Sequence, residues 1–122
     1  MTYLINRLQQ TGIITITYSG DVFVNDRINA MEEAHTLLKK NHDKKLIIDV
    51  RKINNKMTES EQEDFGVFLA EKFTSQKTKV AVIHPKKNSQ ADIIIDGIAF
   101  LHGCRLAQFY TLQDAELWLM GK

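Results

Sequence analysis

KKLIIDVRKINNKMTESEQEDFGVFLAEKF, residues Lys44 to Phe73, decides the fold. Leu46, Ile47, Ile48 and Val50 form an apolar run broken only by Asp49, the pattern of a strand covered on both faces. A polar loop follows. Thr58 with Glu61 three residues on is a capping box, and Phe65, Phe68, Leu69 and Phe73 then recur at helical spacing. Strand, loop and helix in that order indicate an α/β fold. They also place the loop at the edge where such sheets carry their working residues.

The same alternation extends in both directions. Tyr3 to Leu8 reads as a strand. Ile13 to Tyr18 reads as a second, with Ile14, Ile16 and Tyr18 on one face. The turn Gln9 to Gly12 makes the two an antiparallel hairpin, and Ser19, Gly20 and Asp21 are expected to stop the second strand. Asn25 is expected to cap a helix to about Asn41, with Val24, Ile28, Met31, Ala34 and Leu38 on one face. The third strand spans Lys45 to Val50, and the second helix runs from about Glu59 to Thr74.

Beyond it, Lys79 to His84 is an apolar strand ended by Pro85. Ser89 is expected to cap a third helix, Gln90 to His102, with Gly103 at its C′ position. Arg105 to Tyr110 is a fifth strand. Thr111 and Asp114 cap the last helix, which carries Leu112, Ala115, Trp118 and Leu119. The order is β-β-α-β-α-β-α-β-α. It predicts an α/β fold in which residues 1–122 form one domain, with a mixed, mainly parallel five-stranded sheet flanked by four helices.

Bulk properties exclude several function classes. The 122 residues suffice for one core without staples. With 43% hydrophobic and 25% charged residues and a net charge of +1, the chain has the composition of a globular protein and no charge for nucleic acid. Cys104 is the single cysteine, so no intrachain disulfide or cysteine-pair metal site exists, and its surroundings read as those of a small buried residue. The histidines at 35, 42, 84 and 102 lack metal-ligand spacing, so no metal or cofactor is expected. No signal-peptide pattern and no membrane-spanning run stands in the sequence. Together with the lone thiol this gives a cytoplasmic expectation.

The stretches YSGDV (Tyr18 to Val22), KKLIIDVR (Lys44 to Arg51), KVAVIHP (Lys79 to Pro85) and FYTLQDAELWL (Phe109 to Leu119) together resemble the SpoIIAA-like family, relatives of the STAS domains of sulfate transporters and anti-sigma factor antagonists. The similarity spans nearly the whole chain. It implies a non-enzymatic, bacterial, protein-interaction module, with lipid-binding CRAL/TRIO-type domains as more distant relatives. In the anti-sigma factor antagonists a serine after an aspartate, at the start of the helix following strand three, is phosphorylated. Here Met57 stands at the aspartate, Thr58 at the serine, and Glu59 and Ser60 beyond it. Thr58 is thus the phosphorylation candidate, but Glu61 favours a plain N-cap, and Glu59, Glu61 and Glu63 would repel a phosphate.

Candidate residues gather at the C-terminal edge of the sheet. Asp49 and Arg51, two apart on a strand, share a face and can pair. His84, Tyr110 and Asp21 are expected at the same rim. Lys86 and Lys87, with Asn88 and Ser89, precede the third helix as a basic turn without the glycines of a phosphate loop. In the third helix, Ala91, Ile94, Ile95, Ile98 and Leu101 make the expected buried stripe, while Ile93 and Phe100 fall outside its centre. Ile93, Ile94 and Phe100 are therefore candidates for an apolar groove or a homodimer face.

The leading reading is a non-enzymatic regulatory module that recognises a protein partner through the rim of Asp21, Asp49, Arg51, Lys52, Thr58, His84, Lys86 and Lys87. The alternative is a carrier of a small apolar or anionic ligand beside the third helix. An enzyme built on Asp49, Arg51 and His84 is a third reading, and it requires those side chains to converge.

Overall fold

In the computed structural model, residues 2–86 and 92–122 are described. Tyr3–Arg7 (β1) and Ile13–Val22 (β2) form the antiparallel hairpin, and Val24–Asn41 (α1) follows. Lys45–Asn55 (β3), Glu59–Phe73 (α2), Lys79–Ile83 (β4), Ile93–Leu101 (α3), Arg105–Phe109 (β5) and Leu112–Leu119 (α4) complete the chain. The five strands lie in the order β1-β2-β3-β4-β5, with β2 to β5 mutually parallel. This is the expected mixed α/β sheet.

Topology decides the layers. Each crossover from β2 to β5 steps to the next strand in the same direction, so right-handed connections set α1, α2 and α3 on one face. Ile14, Leu46, Val80 and Leu106 stand side by side across four strands and face those helices. The alternate residues Ile13, Ile47, Ala81 and Ile83 face the other way, under Ala115 and Leu119 of α4. Burial on both faces explains the apolar runs of β3 and β4. A sheet that never reverses its strand order also has no topological switch point, so the binding crevice of doubly wound sheets is not formed here.

The helix ends obey local chemistry. Thr58 Oγ1 accepts from the Glu61 amide at 3.1 Å, and Glu61 Oε1 accepts from the Thr58 amide at 2.8 Å, completing the expected capping box. Thr111 caps α4 by accepting from the Asp114 amide at 3.2 Å. Gly103, with φ +94°, follows α3 in the left-handed conformation open to glycine.

Several boundaries depart from expectation. Phe23, not Asn25, is the N-cap of α1, and Asp26 Oδ2 reaches back to accept from the Phe23 amide at 2.8 Å, the half of a capping box that does not need a polar N-cap side chain. The ends of β1, β4 and β5 fall at Arg7, Ile83 and Phe109. α3 begins at Ile93 after Asp92, and Ser89, Gln90 and Ala91 lie outside the described residues. The largest correction concerns β2 and β3. They do not stop at Tyr18 and Val50 but pair onward to Val22 and Asn55. Polar residues continue a strand there because the ribbon faces solvent, where alternation no longer needs to be apolar.

No helix among the described residues is long and apolar enough to cross a membrane.

Candidate functional site: a polar rim and a buried polar cluster

The rim begins where β4 ends. Asp49 is the last residue of β3 opposite β4, and beyond it β2 and β3 continue as a two-stranded ribbon. Opposite Thr17 to Ser19, two residues apart, β3 runs Asp49 to Lys52, three apart, so an extra residue bulges from β3. The bulge folds the Arg51 amide back onto Asp49 Oδ1 at 3.1 Å, while its Nε and Nη2 reach Oδ1 and Oδ2 at 3.0 and 2.8 Å. The carboxylate is nearly buried and three N–H groups satisfy it, whereas the guanidinium stays 40% exposed. Its hydrogen bond to Asp49 raises the guanidinium pKa further.

Lys52, Asn54 and Asp21 are exposed on the ribbon, and Asn54 Nδ2 donates to Asp21 Oδ1 at 2.7 Å. A cleft of about 440 Å³ lies against it, lined by Thr17, Tyr18, Asp49, Arg51, Lys52 and Pro85. Thr58 and Lys86 are exposed; Lys87 lies outside the described residues, as do Asn88 and Ser89.

His84 does not join them. Thr17, Asp49, Ile83 and Phe109 stand in one row across the sheet on the α4 side, so His84, one residue on, turns to the opposite face. It is 4% exposed, and its Nε2 lies 2.8 Å from Asp96 Oδ2 in α3. Asp49, Arg51 and His84 therefore do not converge, which removes the enzyme built on those three.

His84 instead belongs to a buried polar cluster that sequence reading missed. Arg27 of α1 and Asp92, just before α3, form a bidentate ion pair, Nη1 to Oδ1 at 3.0 Å and Nη2 to Oδ2 at 2.7 Å. The guanidinium carbon lies 4.7 Å from the Tyr18 ring centroid and 5.0 Å from that of Phe65. Burial alone would lower the Arg27 pKa, but the adjacent Asp92 charge more than reverses it. Burial pushes the Tyr18 phenol up to about 12, with Arg27 acting in the opposite direction.

Next to this pair, Asp96 Oδ2 accepts from Gln108 Nε2 at 2.8 Å as well as contacting His84. Burial raises the Asp96 pKa, and the His84 hydrogen bond works against it. Cys104 is buried as expected, and burial with the nearby Asp96 pushes its thiol up to about 11.

The periodicity held the signal for this cluster. Arg27 lies four residues before Met31 and seven before Ala34, inside the apolar stripe of α1. Asp92 and Asp96 fall likewise on the stripe of Ile95 and Ala99. Charges of opposite sign on two buried faces imply a buried pair.

Of the expected α3 stripe, Ile95 is buried, but its buried companions are Asp96 and Ala99, which the sequence pattern did not place there. Leu101 is 79% exposed, Ile94 and Ile98 are half-buried, and Ala91 lies outside the described residues. Ile93 and Phe100, 54% and 64% exposed, share a groove of about 330 Å³ with Asp96, Gly97, Leu106, Ala107 and Gln108. Ile94 is turned away from it by one helical step and does not line it.

Solved structures share this fold, among them the following two. The anti-sigma factor antagonist SpoIIAA in its unphosphorylated form matches with a TM-score of 0.66 at 11% identity, over 98% of this chain and 97% of that one. An uncharacterized protein with a SpoIIAA-like fold from Shewanella loihica PV-4 matches with a TM-score of 0.60 at 15% identity, over 96% of this chain and 91% of that one. No family model and no curated protein matches the chain. The fold is SpoIIAA-like, and identities this low carry the fold alone.

Proposed function

We propose that the protein is a non-enzymatic, cytoplasmic regulatory module that recognises a partner protein through the ribbon of β2 and β3 and the start of α2. The observation that carries this reading is the ribbon itself. It extends past the end of β4 and presents Arg51, Lys52, Asn54 and Asp21 to solvent. Such a ledge suits recognition by shape and charge. Asp49 fixes the Arg51 guanidinium in place, so a partner meets a preorganised donor and loses little side-chain entropy on binding. The SpoIIAA-like fold, which an anti-sigma factor antagonist shares, agrees with a regulatory role. Thr58 acts in this reading as a cap and not as a phosphate acceptor.

The test is affinity capture with wild-type protein and an Arg51→Ala/Lys52→Ala double variant, with captured proteins identified by mass spectrometry. A protein retained by the wild type and lost from the folded double variant is expected. Identical captured sets would overturn the rim as the recognition surface.

A second reading, a carrier of a small ligand, is favoured by one observation. The groove beside α3 has apolar walls from Ile93, Phe100 and Leu106 and is large enough for a small molecule.

A further inference from the structure

The groove between α3 and β5 has mainly apolar walls, with Gln108 polar at its exposed side and Asp96 polar at a buried point. Ile93, Asp96, Gly97 and Phe100 follow one another at helical spacing and present one face of α3; Leu106, Ala107 and Gln108 form the other wall. Its volume is about 330 Å³. An apolar cavity of about 150 Å³ already accepts a benzene ring.

Asp96 is only 3% exposed, yet it lines this groove. Its Oδ2 is committed to His84 and Gln108. Its Oδ1 is buried and has no hydrogen-bond partner among the described residues. A buried acceptor without a donor is a costly exception in a folded protein, and it marks the place where an incoming donor gains most. Among the described residues no lysine or arginine lines the groove, and Arg27, the cation of the neighbouring cluster, is held by Asp92.

We propose that this groove binds a compact apolar molecule carrying one hydrogen-bond donor, its body lying between Phe100 and Leu106 and its N–H bonding Asp96 Oδ1. The proposal rests on the carrier reading and narrows it. A carboxylate or phosphate would meet the Asp96 carboxyl with no lysine or arginine among the described lining residues to offset it, so the groove selects against anionic ligands.

Three probes separate the terms: indole, which has an apolar body and a donor only; 1-methylindole, which lacks the donor; and benzoate, an anion. Each is titrated into the ¹⁵N-labelled full chain and followed through backbone amide shifts. Indole should shift the amides of Ile93, Gly97, Phe100 and Leu106 and bind about tenfold more tightly than 1-methylindole. Benzoate should leave those amides unmoved. Gly97→Leu should abolish binding with the fold intact, because a side chain at Gly97 enters open space. Asp96→Asn should reduce indole to the affinity of 1-methylindole. Equal binding of indole and 1-methylindole, binding of benzoate in the groove, or an unchanged preference in Asp96→Asn would overturn the donor rule while leaving a carrier standing. No groove shift from any probe would overturn the donor rule and the carrier reading together.

Discussion

Arg27 and Asp92, 65 positions apart, form a two-pronged ion pair with 0% and 1% of their side chains exposed. It ties α1 to the start of α3 beneath the aromatic rings of Tyr18 and Phe65. Removing one partner leaves the other charge buried alone, so Arg27→Met or Asp92→Asn should each cost about 3–5 kcal/mol. The double variant should cost clearly less than the sum, since Met still packs against the two rings and no charge is stranded. Urea denaturation of the four proteins checks this, and strictly additive losses would mean that the pair acts as two independent residues.

What the sequence made legible follows from periodicity. Alternation along Ile14, Ile16 and Tyr18, and the helical repeat of Phe65, Leu69 and Phe73, place the core because burial on one face imposes a period. Caps such as Thr58 with Glu61 were readable because the bonding is local. The ends of β2 and β3 were not. Ser19 stands opposite Lys52 in the ribbon, and no apolar pattern records that partnership. The side that His84 faces depends on strand register, and its contact with Asp96 is a tertiary fact. Arg27 was legible in principle as a charge on a buried stripe, but its partner 65 positions away was not.

Thr58 offers a local test of the cap. Its hydroxyl accepts from the Glu61 amide, so Thr58→Ala should lower stability by about 1 kcal/mol, and Thr58→Ser should be nearly neutral. Thermal denaturation of the two variants separates a structural hydroxyl from one kept only for modification. Equal stability of Thr58→Ala and wild type would show that the cap contributes nothing.

His35 predicts the sign of a pH dependence. Its Nε2 lies 2.8 Å from Gln76 Nε2, which can only donate, so the ring accepts there and is neutral. Burial first, then Lys72 and Lys39, lower its pKa from the ordinary 6.5. A histidine with a depressed folded pKa contributes stability that is complete above the unfolded value and lost as pH falls below it. The melting temperature of the wild type should therefore fall more steeply than that of His35→Gln as pH is lowered from about 6.5 to about 5. Parallel slopes would place the pH dependence elsewhere.

Gly66 and Gly97 sit on neighbouring helices and should respond oppositely to alanine. A Cβ at Gly66 would stand 2.7 Å from Ile98 Cβ and 2.9 Å from the Ile95 carbonyl oxygen, so α2 and α3 touch through the missing side chain. Gly66→Ala must push α3 outward, at about 1–3 kcal/mol, because the Ile95 oxygen is backbone and cannot turn aside. At Gly97 the same Cβ meets nothing within 4 Å, so Gly97→Ala removes backbone freedom from the unfolded chain and should stabilise by about 0.5–1 kcal/mol. The pair also separates packing from recognition. Displacing α3 through Gly66→Ala shifts Phe100 against Leu106 and should weaken groove binding without touching the groove's lining. Gly97→Ala adds one methyl to that lining, so it should narrow the groove while making the protein more stable. Chemical denaturation and the indole titration on both variants read the two effects; a stabilised Gly66→Ala protein would refute the close helix contact on which the position of α3 depends.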